Sequence, residues 1–239
     1  MRVQVLVVGF NRSLSSTIDS IFENVLKPAR ALRATTKISF VLSSTRDAID
    51  NPRSGEQGQP EQQIPRGYRF NKAVEWDQHD IDLATEELFV LAKQNGNPWP
   101  KDDFLSLRNV IRFLYLLDKA YTAVDRRAEW VVFLRPDLLC LDPIDYASHF
   151  MHSDGAIVTP SWHQFRGHND RVAIIHRSAV AGYFQRFNKV REFLETGQPL
   201  HAETFLAYSL REYPVLPVMS ERFQRVRLGG RLHDEDFSL

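Results

Sequence analysis

The run "WVVFL" (Trp130–Leu134) ends abruptly in Arg135-Pro136-Asp137, and a second apolar run, "LLCL", follows at once. Five residues, apolar on both faces and rich in β-branched and aromatic types, predict a strand buried on both sides, as in the sheet of an α/β fold. A charged tripeptide cannot continue into a core. Proline stops the ladder by withholding an N–H. In open α/β sheets the carboxyl ends of the strands line the ligand crevice. Asp137 is therefore expected at a fixed place on that rim, where a carboxylate can ligate a divalent cation, hold a ribose hydroxyl or cap a turn.

The rest of the chain fits this frame. Val3 to Val8 is a β-branched run ending at Gly9, and Ser15, Ser16 or Thr17 is expected to cap a helix. Its apolar positions Ile18, Ile21, Phe22 and Val25 keep helical spacing, and Pro28 is expected to stop it. Lys37 to Leu42 predicts a second strand, so the chain opens as βαβ. The polar stretch 51–67, rich in Gln, Gly and Pro, reads as a flexible surface loop inserted in one domain spanning 1–239. Phe104 to Val124 carries the clearest helical stripe, Leu107, Ile111, Leu114, Leu117 and Tyr121, with Arg108 and Arg112 one turn apart on another face. Further strands are predicted at Ala156–Thr159, Val172–Ile175 and Val215–Val218, and further helices at Ala179–Leu194 and Ala202–Glu212. The fold class is α/β, with a mixed, mostly parallel sheet flanked by helices.

Composition narrows the partners. Thirty basic residues balance thirty acidic ones over 239 residues, so no net field points to nucleic acid, and any anion site must be assembled locally. Nothing approaches the roughly 20 apolar residues of a bilayer span. The single cysteine, Cys140, excludes an internal disulfide, and the N-terminus lacks a secretory pattern. A cytoplasmic protein is expected.

The segment "VVFLRPDLLCLDPID" resembles the part of GT-A-type nucleotide-sugar glycosyltransferases in which an apolar strand leads to an Asp-x-Asp motif. It is most similar to uncharacterised capsule- and polysaccharide-type transferases that carry Arg-Pro-Asp there. "VVGFNRSLSSTIDSI", "GHNDRVAI" and "LHAETFLAYSL" extend the resemblance in order along nearly the whole chain. It implies a GT-A-like, Rossmann-like single domain, a nucleotide-sugar donor, a glycan or lipid-linked glycan acceptor, and Mn²⁺ or Mg²⁺ on Asp137 gripping the donor diphosphate. Arg135 stands where the family has its first Asp; arginine cannot ligate metal but pairs bidentately with phosphate or carboxylate.

By the same resemblance Gly9 and Arg12 lie on the nucleotide side, with Gly9 permitting close backbone approach. Arg108 or Arg112 reaches the donor from the long helix. Asn169 and Asp170 face the sugar. Glu203 is the general base that takes the acceptor's proton, presented from a helix start whose dipole favours the ionised form, and Asp170 is the next candidate. His233 is the late third metal ligand. Solvated arginines, a turn Asn-Asp pair and a first-turn glutamate are the plain structural readings of the same residues. Two rival functions remain open: an inactive nucleotide-sugar or glycan-binding module of a polysaccharide assembly complex, and a sulfotransferase, suggested by Ser and Thr after the first strand.

Overall fold

A computed structural model of the protein describes residues 1–51, 53–61, 63–151 and 155–233. The strands and helices run β1 (Arg2–Phe10), α1 (Leu14–Ile21), α2 (Lys27–Ala31), β2 (Thr35–Ser44), β3 (Ile49–Asn51), β4 (Glu56–Gly58), β5 (Lys72–Asp77), α3 (Gln78–Gln94), α4 (Leu105–Tyr121), β6 (Trp130–Leu134) and β7 (Leu138–Cys140). They continue through α5 (Tyr146–Phe150), β8 (Ile157–Pro160), β9 (Val172–His176), α6 (Val180–Phe184), α7 (Val190–Glu195), α8 (Ala202–Ser209), β10 (Val215–Met219) and β11 (Phe223–Arg225). A seven-stranded sheet has the order β10-β8-β9-β6-β1-β2-β5. All its neighbours pair in parallel except β9, which is antiparallel to both β6 and β8. The fold is α/β with a mixed, mostly parallel sheet and helices on both faces.

Strand alternation sorts the core into two layers. Val3, Val5, Val7, Phe40, Val132, Leu134, Val172 and Ile174 pack with Leu14, Ile18 and Ile21 of α1. Leu6, Val8, Val41, Val131, Phe133, Ala173 and Ile175 point the other way, into the helices α3, α4, α6, α7 and α8. The buried Cys140 thiol is pushed up to about 12 by burial, against a hydrogen bond from Ser20, and is unreactive at neutral pH.

Several sequence expectations are corrected. The first helix begins at Leu14, and the Ser13 hydroxyl bonds the Val226 carbonyl instead of capping it. Pro28 does not end the helix. A π turn over Phe22–Leu26 carries it into α2, and the Asn24 carbonyl, four residues before Pro28, accepts from the Ile144 N–H at 2.9 Å. The expected helix 179–194 is broken by 3₁₀ turns at Arg177–Ala179 and Gln185–Lys189. The 51–67 segment, whose Pro52 and Gln62 lie outside the described residues, carries β4 of a small hairpin and buries Glu56. β5 and α3 were not anticipated; none of the six residues of β5 is buried, and four are exposed. Among the described residues no helix is long and apolar enough to cross a membrane.

The pairing also places the rim. Leu134 at the end of β6 pairs with Val172 at the start of β9, so the β8–β9 connection, 161–171, lies beside the carboxyl ends of β6 and β1.

Candidate active site

Arg135-Pro136-Asp137 is fastened on all sides. The Arg135 N–H donates to the Arg171 carbonyl (3.1 Å), continuing the β6–β9 ladder one step. The Pro136 carbonyl accepts from the Thr17 hydroxyl of α1 (2.6 Å), and the Asp137 carbonyl accepts from the Val226 N–H (2.8 Å). Pro136 also lies against Gly9, where a Cβ would stand 2.8 Å from Pro136 Cδ on a backbone already at φ 151°. Only glycine fits there without strain. Gly9 thus sits beside the motif.

The side chains then form a charged cluster. Asp137, 1% exposed, receives Arg135 Nε (3.0 Å) on one oxygen and an Arg135 terminal nitrogen (2.7 Å) on the other, which is also ion-paired with a terminal nitrogen of Arg12 at 3.2 Å. Burial opposes its charge, but Arg135 and then Arg12 outweigh it and hold the carboxyl far below the usual range. Arg135 is raised in turn; burial works against it, while Asp137, Asp170 and Glu203 favour its charge.

Arg12 also makes a two-oxygen contact with Glu56 (3.1 and 3.0 Å), which accepts as well from Ser54 Oγ, the Leu228 N–H and Arg227 (3.3 Å). Burial would raise the Glu56 carboxyl; Arg12, Ser54, Leu228 and Arg227 more than reverse this. Arg227 is pulled down to about 10 by burial and by Arg12 and Arg225, and it stays charged at neutral pH. Although the whole chain is neutral, this corner is cationic.

Beyond Arg135 the cluster becomes acidic. Glu203 sits in the first turn of α8, with Phe205 and Leu206 buried on the core side. Burial first, and the charge of Asp170 second, push its carboxyl up to about 8, against Arg171 and Arg135. The expected dipole stabilisation of an ionised Glu203 is therefore outweighed. Its neighbour His201 has Nδ1 3.2 Å from a Glu203 oxygen, outside hydrogen-bond geometry, and stacks on Trp99 with ring centroids 5.2 Å apart. The Arg53 guanidinium lies over Trp99 and adds a positive charge near Glu203.

The 161–171 segment closes the other side. Its Gly167 lies flat on the α8 backbone: a Cβ there would be 1.9 Å from the Glu203 carbonyl oxygen. The next N–H, of His168, donates to that carbonyl (3.1 Å). Asn169 is buried, donates to the Trp162 carbonyl and accepts from the Arg171 N–H, so its amide braces this segment.

Other expected residues lie elsewhere. Arg108 bonds Glu86 (2.6 Å) and covers the Phe89 ring; Arg112 takes a forked contact with Asp82 and bonds Asn109. Both cross-brace α4 to α3 and are not brought to the cluster. The His233 ring lies 3.3 Å from an Arg225 terminal nitrogen, a cation where a metal ligand would need a cation-free side. Among the described residues no three His, Cys, Asp or Glu side chains are grouped to hold a metal ion. With both Asp137 oxygens on guanidinium groups, the donor set does not fit Mn²⁺ or Mg²⁺, which take several oxygens at about 2.0–2.6 Å. At the start of α1, the Ser15 N–H and hydroxyl both donate to Glu61.

Glu56, Arg53, His201, Arg225 and Arg227 were not anticipated. Arg225 and Arg227 carried a signal, because residues two apart in extended chain share a side. Glu56 carried none: it lies in a Gly- and Gln-rich stretch that reads as loop.

No protein-family model matches the chain, and no curated protein sequence matches it. Among solved structures it is similar to the apo form of mouse xyloside xylosyltransferase 1. That alignment has a TM-score of 0.43 and 11% identity, over 88% of this chain and 82% of the other.

Two outcomes follow from this geometry. Gly167→Ala forces backbone apart at the start of α8, so chemical denaturation should show a loss of about 1–3 kcal/mol; wild-type stability would show that the close approach is absent. Glu203, raised from an ordinary 4.5 to about 8, contributes stability fully below 4.5 and loses it as pH rises through about 8. Glu203→Gln should therefore melt progressively higher, relative to wild type, as pH increases across that window. A pH-independent difference in Tm would contradict the buried, protonated carboxyl.

Proposed function

We propose that the protein is a glycosyltransferase. It moves a sugar from a nucleotide-sugar donor to a hydroxyl of a glycan or lipid-linked glycan acceptor, with inversion at the anomeric carbon. One observation carries the reading: Arg135 is coupled to Asp137 on one side and to Asp170 and Glu203 on the other. Cationic and acidic halves therefore meet at a single side chain on the rim of the sheet, where α/β folds take their ligands.

Glycosyl transfer needs both halves. The bond from C1 to the donor phosphate breaks and leaves charge on a nucleoside diphosphate, which Arg12, Arg135 and Arg227 are placed to neutralise. The acceptor oxygen attacks C1 from the opposite face, and its proton passes to Glu203. Asp170 keeps the Glu203 carboxylate basic. In the ligand-free protein Glu203 holds its proton up to about pH 8, so the base form grows as pH rises towards that value.

A second reading has its own support. Both Asp137 oxygens are already paired, which suits a binding module that never turns its ligand over.

The test is turnover of UDP-, GDP-, CMP- and dTDP-sugars, followed as nucleotide release. With the active donor, Glu203→Gln should lower kcat by roughly 10²–10⁴-fold with donor affinity little changed. Wild-type kcat/KM should climb with pH to a plateau above about 8, and the variant should lack that limb. A retained anomeric configuration, or an unchanged rate in the variant, would remove Glu203 as the base. Binding of a nucleotide sugar without release of nucleotide would identify the binding module.

A further inference from the structure

The cationic half of the site is complete without a metal ion. Asp137 is the residue the resemblance assigns to the cation, yet its two oxygens accept from Arg135 at 3.0 and 2.7 Å, and one of them is ion-paired with Arg12 at 3.2 Å. The other carboxylate of this corner, Glu56, is filled by Arg12, Arg227, Ser54 and the Leu228 N–H. A divalent cation would have to enter where guanidinium groups already sit, against their repulsion.

The charge balance points to an anion instead. Arg12, Arg135 and Arg227 are set against Asp137 and Glu56, which leaves an excess of one positive charge. Two donors there are unmet: Arg12 Nε and Arg227 Nε are buried without a hydrogen-bond partner among the described residues. Buried donors on charged groups are costly to leave unpaired, and oxygens of a bound anion would satisfy them. Guanidinium groups also match phosphate oxygens in forked pairs.

We propose that this protein holds the diphosphate of its donor with Arg12, Arg135 and Arg227 and without a divalent cation, Asp137 serving to position Arg12 and Arg135. The proposal rests on the donor reading given above. Arg135 and Arg12 are fixed in advance by Asp137, so the N–H donors that Asp137 leaves over are preorganised for phosphate, and the charge a metal would supply is supplied by arginine.

The experiment measures binding of UDP, GDP, CDP and dTDP by calorimetry, once in EDTA and once in excess Mn²⁺, and needs no turnover. At least one should bind in EDTA with an affinity within about threefold of that in Mn²⁺. Arg227→Gln and Arg135→Lys should each weaken that binding at least about tenfold, in EDTA as in Mn²⁺, with the circular dichroism spectrum unchanged. Arg135→Lys keeps the charge near Asp137 and loses only the fork. Binding that requires Mn²⁺ would overturn the proposal while leaving the donor reading intact. Failure of all four nucleotides under both conditions would overturn both. Binding in EDTA that neither variant weakens would show that the diphosphate lies elsewhere.

Discussion

Asp137 is almost wholly removed from water, and both its oxygens rest on Arg135 at hydrogen-bond distance. Burying two opposite charges does not by itself favour folding, but once both are inside, removing one strands the other at a cost of about 3–5 kcal/mol. The pair therefore dictates what surrounds it. Arg12 must come from the loop after β1, the Arg135 backbone must extend the β6–β9 ladder, and Gly9 must let Pro136 approach. The carbonyls of Pro136 and Asp137 are claimed by α1 and by Val226, the residue just after β11. One rigid tripeptide thus ties together the first and last parts of the chain.

The same pair divides the site by charge. On one side Arg12 and Arg227 act on Asp137 and Glu56; on the other, the charge of Asp170 acts on Glu203 at the start of α8. Arg135 feels both. The protein as a whole carries no net charge, so this separation comes from local folding, with the β3–β4 hairpin and the 161–171 segment each closing one side.

What the sequence made legible follows from how its signals arise. The strands around Val5, Phe40, Val132 and Ile174 were readable because alternation on a doubly covered sheet leaves apolar residues on both faces. The places of Asp137 just past a strand and of Glu203 at a helix start were legible because local pattern can identify such positions. β5 was missed because an edge strand half in water has no such pattern. Arg108 and Arg112 were correctly read as sharing a helix face, but no local signal says which element covers that face, and α3 does. Glu56 was invisible for a related reason. Its burial depends on arginines 44 and 171 residues away, and composition reports only that its neighbours favour turns.

The most direct measurement is a crystal structure of the protein with the nucleoside diphosphate that binds it most tightly. The two phosphates should lie within hydrogen-bond distance of Arg12, Arg135 and Arg227, with the terminal phosphate on the side of Glu203. A diphosphate bound away from these arginines, or bridged to Asp137 by a metal ion that has displaced Arg135, would contradict it.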